Sequence, residues 1–477
     1  MNSALSISRQ FARWTASLRY QDLPVEVVDK VKSLLLHALA GGVLGSRSPS
    51  AQRMVACILA EEGRPEGASV FHTISQASRV GAAFANSELI HASYLFDSYR
   101  MLTHPGPALV PAGLVNAELE GRDGRDLVVA LAAGYELVCR LSDDVIPSTA
   151  ARGFRPSPIF VTLGAALVAG KLMGLQEDAL VTTIALAANF ASGLNEGPRA
   201  GGNELLMHEP QAARNGVFAA MMARVGNIRG TEHVIEGPAG FYNAFMGSHT
   251  GRLTHSFGGQ ASMDLSTVTA GLGQHYKMLS VMYRLYPCAG YNQPVIELVG
   301  EMQQQHGLDW RQMEEIQVAM NRIETLYPSP EFPRFPDWQH PRAGETTHFF
   351  AAYAAVHGGF PPAGTSGSFP FGRSLLHDEA VLALMARVRL VPEIGRAMFS
   401  PSVRIRMMEG TCHEGHYPYE RMVWTFNQLT ERLLTCAAGF PTGATGVQAL
   451  AQLTHGVDEL PSMQPLFAQM QACTTLA

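Results

Sequence analysis

Two stretches near the middle of the chain limit what it can fold into. Residues Ile159 to Met173 and Asp178 to Ser192 are so rich in Ala, Leu, Val and Gly that helices built from them have almost no polar face to offer water. Such helices are stable only inside a layer of other helices, and the surrounding sequence supplies one. From residue 22 to about 260 the chain reads as helix after helix. Asp22 and Pro24 mark a start, and Val27, Val28, Val31, Leu34, Leu35 and Ala38 follow at helical spacing. Further helices are predicted over Ala82 to Ser93, Asp126 to Leu141 and Gln211 to Val225, the last stopped by Gly226. Gly164, Ala165, Ala166, Ala169 and Gly170 predict close helix–helix approach.

The period changes after about Gly273. Ile316 to Met320, Arg387 to Val391 and Val403 to Met407 alternate or are β-branched, as strands are. Helices are predicted at Gln293 to Gln305 and Thr347 to His357, and loops at Tyr327 to Pro341 and Gly358 to Gly372. After Tyr419 the helical pattern returns, at Arg421 to Ala437 and Thr445 to Thr454. The expected fold is therefore mostly α. A large helical domain is built from both chain ends (1–270 and 415–477), and a smaller α+β lid is inserted at 271–414.

A chain of 477 residues, 47% hydrophobic and only 16% charged, has ample material for a large core and is not a disordered chain. The low charge also points to apolar surface covered by a second copy, hence a homodimer. Acidic residues (41) outnumber basic ones (35) with no basic stripe, which argues against a nucleic-acid partner. Cys57, Cys139, Cys288, Cys412, Cys436 and Cys473 are scattered without a CxxC pair, as in reduced cytoplasmic proteins. Met1 to Trp14, broken by Arg9 and Arg13, is not a signal peptide. The longest apolar run, Ile159 to Gly170, is short of the roughly 20 residues of a membrane span, so no membrane partner is expected.

General catalytic motifs are absent: no P-loop, no GxGxxG after a strand, no HExxH. Cys412-His413-Glu414-Gly415-His416 has metal-ligating residue types but reads more simply as a polar turn before the next helix, and no metal is expected. Ala200-Gly201-Gly202-Asn203, before a helix, reads as a flexible loop rather than an anion cradle.

Six segments, in order, carry a more specific signal. They are Leu23-Pro24-Val25-Glu26-Val27-Val28 leading to Gly41-Gly42; Phe96-Asp97-Ser98 with Thr103-His104-Pro105-Gly106; Gly153-Phe154-Arg155-Pro156; Leu205-Leu206-Met207-His208 with Ala212-Ala213-Arg214-Asn215-Gly216; Ile235-Glu236-Gly237-Pro238-Ala239-Gly240-Phe241; and Tyr283-Arg284-Leu285-Tyr286-Pro287-Cys288. Together they resemble the MmgE/PrpD family, which includes 2-methylcitrate dehydratase, cis-aconitate decarboxylase and iminodisuccinate epimerase. The resemblance covers nearly the whole chain. It implies a helical domain with an inserted lid, a homodimer, a site between the domains, no metal or organic cofactor, and proton transfer next to a carboxylate.

The same resemblance implies the site residues. His104 stands at a family catalytic histidine. Tyr94 replaces the family's acid, Ser98 its threonine, Arg155 a histidine, Leu205 a lysine and Arg284 another lysine, while the family's later histidine falls at Gln293, beside Asn292. The expected catalytic set is His104, Tyr94, Ser98 and Asp97, with the Asp97 carboxylate orienting the imidazole and raising its pKa. The expected substrate-binding set is Arg155, Arg284, His208, Tyr286, Gln293 and Leu205, the arginines clamping an anion; Arg100 and Arg199 are further cleft candidates. Fewer cations and an apolar Leu205 imply a bulkier carboxylate or carbonyl substrate with fewer carboxylates than a tricarboxylate, as in a specialised-metabolism lyase or isomerase. The altered set also fits a catalytically silent, ligand- or partner-binding relative.

Overall fold

A computed structural model describes residues 5–200, 202–327, 346–365 and 373–474. It is mostly helical, with small sheets. Helix Pro156–Leu172 lies at the centre of the first half, buried along nearly its whole length. Around it pack helices Gly106–Leu119, Gly124–Ser142, Glu177–Phe190 and His208–Val225. Its small residues permit the approach. A Cβ at Gly164 would lie 2.4 Å from Val138 Cγ2 and 3.1 Å from the Gly134 carbonyl, and a Cβ at Gly134 would lie 3.0 Å from the Gly164 carbonyl.

The expected helices form, with ends a few residues out: Val25–Gly45, Arg79–His91, Gly124–Ser142, Glu177–Phe190 and His208–Val225. Others, among them Ile7–Ser17, Pro49–Glu62 and Gly106–Leu119, were not predicted; Pro111 sits inside the last. The chain end returns as helices Phe426–Leu434, Gly443–His455 and Gln464–Thr474, whose Leu429, Leu433, Leu450 and Met470 join the core of the first half. The helix predicted over Arg421 to Ala437 is shorter than expected, because Tyr419–Met422 is a separate turn and the cap is Thr425.

A second core draws mainly on residues 282–422. Its sheet has four strands in the order Val388–Glu393, Met313–Asn321, Ser402–Met407, Cys412–His416; the first pair is parallel and the others antiparallel. Ile316, Val318 and Met320 share the buried face, where helices Gln293–His306 and Thr347–His357 lie. Cys412–His416 is thus an edge strand and not a turn. Alternation puts His413 and His416 on opposite faces, so they do not share a helix face as ligands would. The predicted loop at 358–372 is loop over its described residues 358–365, the predicted loop at 327–341 lies outside the described residues beyond Tyr327, and the predicted 200–203 loop lies partly outside them.

One short pairing positions the site. Asp97 and Ser98 pair antiparallel with Tyr283 and Met282. This stitches the segment after helix Arg79–His91 to the chain that carries Arg284, and it closes a loop of nearly two hundred residues.

Candidate active site

Helix Arg79–His91 ends, and the chain reverses through Tyr94, whose φ of 58° is left-handed. That conformation is strained for a tyrosine and marks backbone over-determined by its surroundings. The chain then runs inward through Phe96, Asp97 and Ser98, all buried. After a short turn His104 comes back over them. Its backbone N–H donates to Ser157 Oγ (3.0 Å), and its Nδ1 lies 2.9 Å from Ser98 Oγ and 3.1 Å from the Asp97 carbonyl oxygen. A carbonyl only accepts, so Nδ1 carries the proton and Nε2 keeps its lone pair.

The Asp97 carboxylate does not orient the ring. It accepts from Tyr135 Oη (2.7 Å) and from the backbone N–H of Gly106 (2.8 Å), the first residue of helix Gly106–Leu119. A carboxylate at a helix N-terminus is well placed against the dipole. Burial pushes it up to about 6. The expected rise in the His104 pKa is also reversed. Burial, then the charges of Arg284 and Arg155, hold His104 well below the usual histidine range, so it is a neutral imidazole.

Arg284 is the second member of the cluster, 4% exposed. Its Nη2 lies 3.2 Å from His104 Nδ1 and 3.4 Å from Nε2; its Nη1 donates to the Cys288 carbonyl (2.7 Å). Its guanidinium carbon stands 4.3 Å from the centroid of the Phe96 ring. Among the described residues no carboxylate forms an ion pair with it, and its Nε has no hydrogen-bond partner. A sealed guanidinium left in this state is costly, and even its usually fixed charge is pressed downward, to about 10, chiefly by burial.

Gln293 is a brace. Its Oε1 accepts from the Leu285 N–H (2.8 Å) and its Nε2 donates to the Tyr283 carbonyl (3.1 Å), so it grips the backbone on both sides of Arg284 instead of facing a substrate. His37 Nε2 lies 2.9 Å from the Arg284 carbonyl and holds the same segment from below. Tyr286 is half-buried, edge-on to Phe360.

Arg155 is not a free anion clamp: its Nη1 donates to Glu209 Oε1 at 2.6 Å, both residues buried. Glu209 went unnoticed in the sequence because a carboxylate beside His208 at a helix start reads as an ordinary first-turn acid. Its other oxygen lies 2.9 Å from His91 Nε2. The His91 ring is stacked on Phe96 at 4.9 Å, 9° from parallel. His208 begins helix His208–Val225, half-buried, and burial lowers its pKa to about 4. Leu205 sits half-buried in the preceding turn. Arg100 is bound to Asp143 and Arg199 to Glu196, so neither serves the cluster.

The geometry therefore brings together His104, Ser98, Arg284 and Phe96, with Tyr94 6.1 Å from Phe96 between ring centroids. A neutral imidazole whose Nε2 accepts from the Arg284 Nη2 N–H can take a proton from a substrate carbon once the neighbouring carboxylate draws that N–H to itself.

Comparison with known proteins adds to this picture. A model of the MmgE/PrpD N-terminal domain matches residues 9–253. A cis-aconitate decarboxylase-like protein, oryM, of Aspergillus oryzae is 27% identical over 311 residues, covering 63% of this chain and 62% of its own length. Cis-aconitate decarboxylase of Aspergillus terreus is 25% identical over 314 residues, 64% and 62% of the two chains. The human cis-aconitate decarboxylase is 26% identical over 276 residues, 53% and 52%. The alignments thus span less than two thirds of these relatives.

Proposed function

Because this chain belongs to the MmgE/PrpD family, we propose that it is a lyase or isomerase that moves a proton at a carbon next to a carboxylate or carbonyl, with His104 as the base and Arg284 as the anion-binding group. The observation that carries the reading is Arg284 itself. It is a buried guanidinium with an unpartnered Nε and no carboxylate ion pair among the described residues, against the ring of a neutral histidine. A substrate carboxylate supplies the missing acceptor, and a bidentate pair sets its α-carbon in one orientation. His104 Nε2 then takes the proton. The enediolate that forms is stabilised by the same guanidinium, and the imidazolium, disfavoured by burial and two arginines, readily gives the proton back. Ser98 and Tyr94 are the hydroxyls that serve as acid in the second half. Dehydration, decarboxylation and epimerisation all pass through such a stage, and the reading assigns none of the steps to a cofactor.

The substrate is a carboxylate with fewer acidic groups than cis-aconitate. Arg155 is taken by Glu209 and position 205 is leucine, so one unpaired cation serves the cluster. This fits a bulkier compound of specialised metabolism. The working unit is a homodimer with its lid over 271–414, and light scattering should give twice the 51.5 kDa of one chain.

The decisive experiment needs no knowledge of the product. The protein is incubated in D2O with a panel of mono- and dicarboxylates, and wash-in of deuterium next to the carboxylate is followed by NMR. Exchange that requires His104 supports the reading. Absence of exchange in every compound that binds favours the second reading, a silent ligand-binding relative, which the replacement of the family's acid by Tyr94 and lysine by Leu205 motivates. Robust turnover of cis-aconitate or 2-methylcitrate would refute the substrate assignment.

A further inference from the structure

Around His91, whose ring stacks on Phe96, the structure gathers ionisable groups that the reaction above does not use. Glu88 and His91, on the last turn of helix Arg79–His91, and Glu209, at the start of helix His208–Val225, are each at most 1% exposed. Glu209 gives one oxygen to Arg155. The other is 2.9 Å from His91 Nε2, an electrostatic contact out of line for a good hydrogen bond, which leaves its hydrogen-bonding capacity unfilled. Glu88 makes no hydrogen bond or ion pair among the described residues, and its Oε2 is sealed from solvent. Asn195 Oδ1 is likewise buried and unpartnered. It is fixed near Arg155 by backbone bonds from Arg155 N to the Gly193 carbonyl and from Asn195 N to the Gly153 carbonyl. The remaining orphans are ring nitrogens of His91 and His208. Three oxygens that accept, or accept once ionised, thus stand beside three imidazole nitrogens, and each neutral ring offers one further acceptor, where folded interiors normally leave almost none unsatisfied.

We propose that this cluster receives a protonated amine carried by the substrate, so that the substrate class is an amine-bearing carboxylate whose carboxylate lies on Arg284 and whose ammonium lies against Glu88, with Glu209 beside it. The inference deepens the proposed reaction and shares its Arg284 contact. An ammonium presents three N–H donors and no lone pair, which suits a set of acceptors better than a hydroxyl does. The charge also balances. Glu209 is the charge that acts on Glu88, and it is in turn paired with Arg155 and lies against His91. Arg155 is already neutralised by Glu209, so the one carboxyl free to answer a new cation is Glu88. Burial, and then the charge of Glu209, push Glu88 up to about 8, so its carboxyl holds a proton that an arriving ammonium displaces. His91 and Arg284 both lie against the Phe96 ring, which links the two ends of the site through one side chain.

The test is isothermal titration calorimetry of the full chain at pH 7 in two buffers of different ionisation enthalpy. The ligands are 4-aminobutyrate, 5-aminovalerate and 6-aminohexanoate, each against its plain carboxylate. At one chain length the amino compound should bind about ten- to a hundredfold more tightly and release a proton, as charge-assisted hydrogen bonds allow. Glu88→Gln should abolish both the preference and the proton release, and Glu88→Asp should keep part of each. Equal affinity for the two series would overturn the proposal. So would a preference that survives Glu88→Gln in a variant whose circular-dichroism melt is that of the wild type, or failure of every amine to bind. Because proton release is read on the unmodified protein, a misfolded variant does not rescue the idea. Hexylamine separates the two readings: Glu88-dependent binding of the amine without binding of any carboxylate keeps this inference and discards the role of Arg284. Arg284-dependent binding of carboxylates with no gain from an amine does the reverse.

Discussion

At the scale of single residues, the structure changes the chemistry that a sequence comparison suggests. A histidine six residues after an Asp-Ser pair invites an imidazolium oriented by that aspartate. The carboxylate instead caps a helix, a backbone carbonyl sets the tautomer, and burial keeps the ring neutral. His104→Ala should therefore lower turnover of the true substrate by about 10²–10⁴-fold, the usual worth of a positioned acid or base, with the thermal melt little changed. A neutral base works as long as it stays unprotonated. Its pKa lies below 6.5, so kcat/KM measured against pH should stay level down through 6.5 and fall only well below it. An acid limb centred at 6.5 or above would show that the imidazole is not held down. Arg284→Ala should act differently. If the guanidinium binds substrate and transition state alike, KM rises and kcat holds; if it mainly stabilises the enediolate, kcat falls as well. Arg284→Lys should recover part of the loss but not the bidentate geometry.

At the scale of elements, helices were legible and contacts between distant strands were not. Val25–Gly45 announces itself by apolar periodicity, and Pro156–Leu172 by an unbroken run of Ala, Leu, Val and Gly, both of which are local information. The pairing of Asp97-Ser98 with Met282-Tyr283 is only two residues long and has no alternating pattern of its own, yet it brings His104 to Arg284. Cys412–His416 was misread because an exposed edge strand needs no apolar alternation. Glu209 and Glu88 were passed over for a related reason: burial of a charge is a property of the packed helices, and no spacing in the sequence encodes it. The small residues of the central helix, by contrast, were read directly, and they can be tested. Gly164→Val adds methyl groups where even a Cβ meets Val138 at 2.4 Å and the Gly134 carbonyl at 3.1 Å. The two helices must separate or bend, a change that costs about 1–3 kcal/mol and lowers Tm by several degrees. Gly153, also on the path to the site but with nothing within 4 Å of a Cβ, offers a comparison in which only its positive φ resists substitution. Equal melts for Gly164→Val and the wild type would mean that the crossing is looser than drawn.

Over the whole molecule, buried groups that titrate abnormally set how stability depends on pH, and their signs oppose one another. Among the described residues, burial is the leading cause that lowers the pKa of six imidazoles, those of His37, His72, His104, His208, His255 and His348; for His37, His208 and His348 it goes to about 4. Burial also raises four carboxyls, those of Glu88 and Glu324 to about 8, of Asp97 to about 6, and of Asp144. For a depressed histidine the unfolded chain binds its proton first, so stability is lost as pH falls from 6.5 toward the folded value. For a raised carboxyl the folded chain binds first, so stability is lost as pH rises from the unfolded value of roughly 4 toward the folded one. Between about pH 6.5 and 4.5 the two sets largely cancel, with the imidazoles ahead, and stability should decline only gently. Below about 4.5 the carboxyls of the unfolded chain take up their protons too, and the offset disappears. Glu209, held well below the usual range by Arg155 and His91 against the opposing cost of burial, and Asp143, held down by Arg100 and Lys277, then add losses of their own. Urea unfolding followed across this range should show a near-plateau that breaks sharply near pH 4.5. His37→Gln, which keeps a donor for the Arg284 carbonyl without a titrating ring, should shrink the slope above the break. A stability that climbs steadily as pH falls through 4.5 would mean that the buried histidines charge freely in the native state, and with them His104.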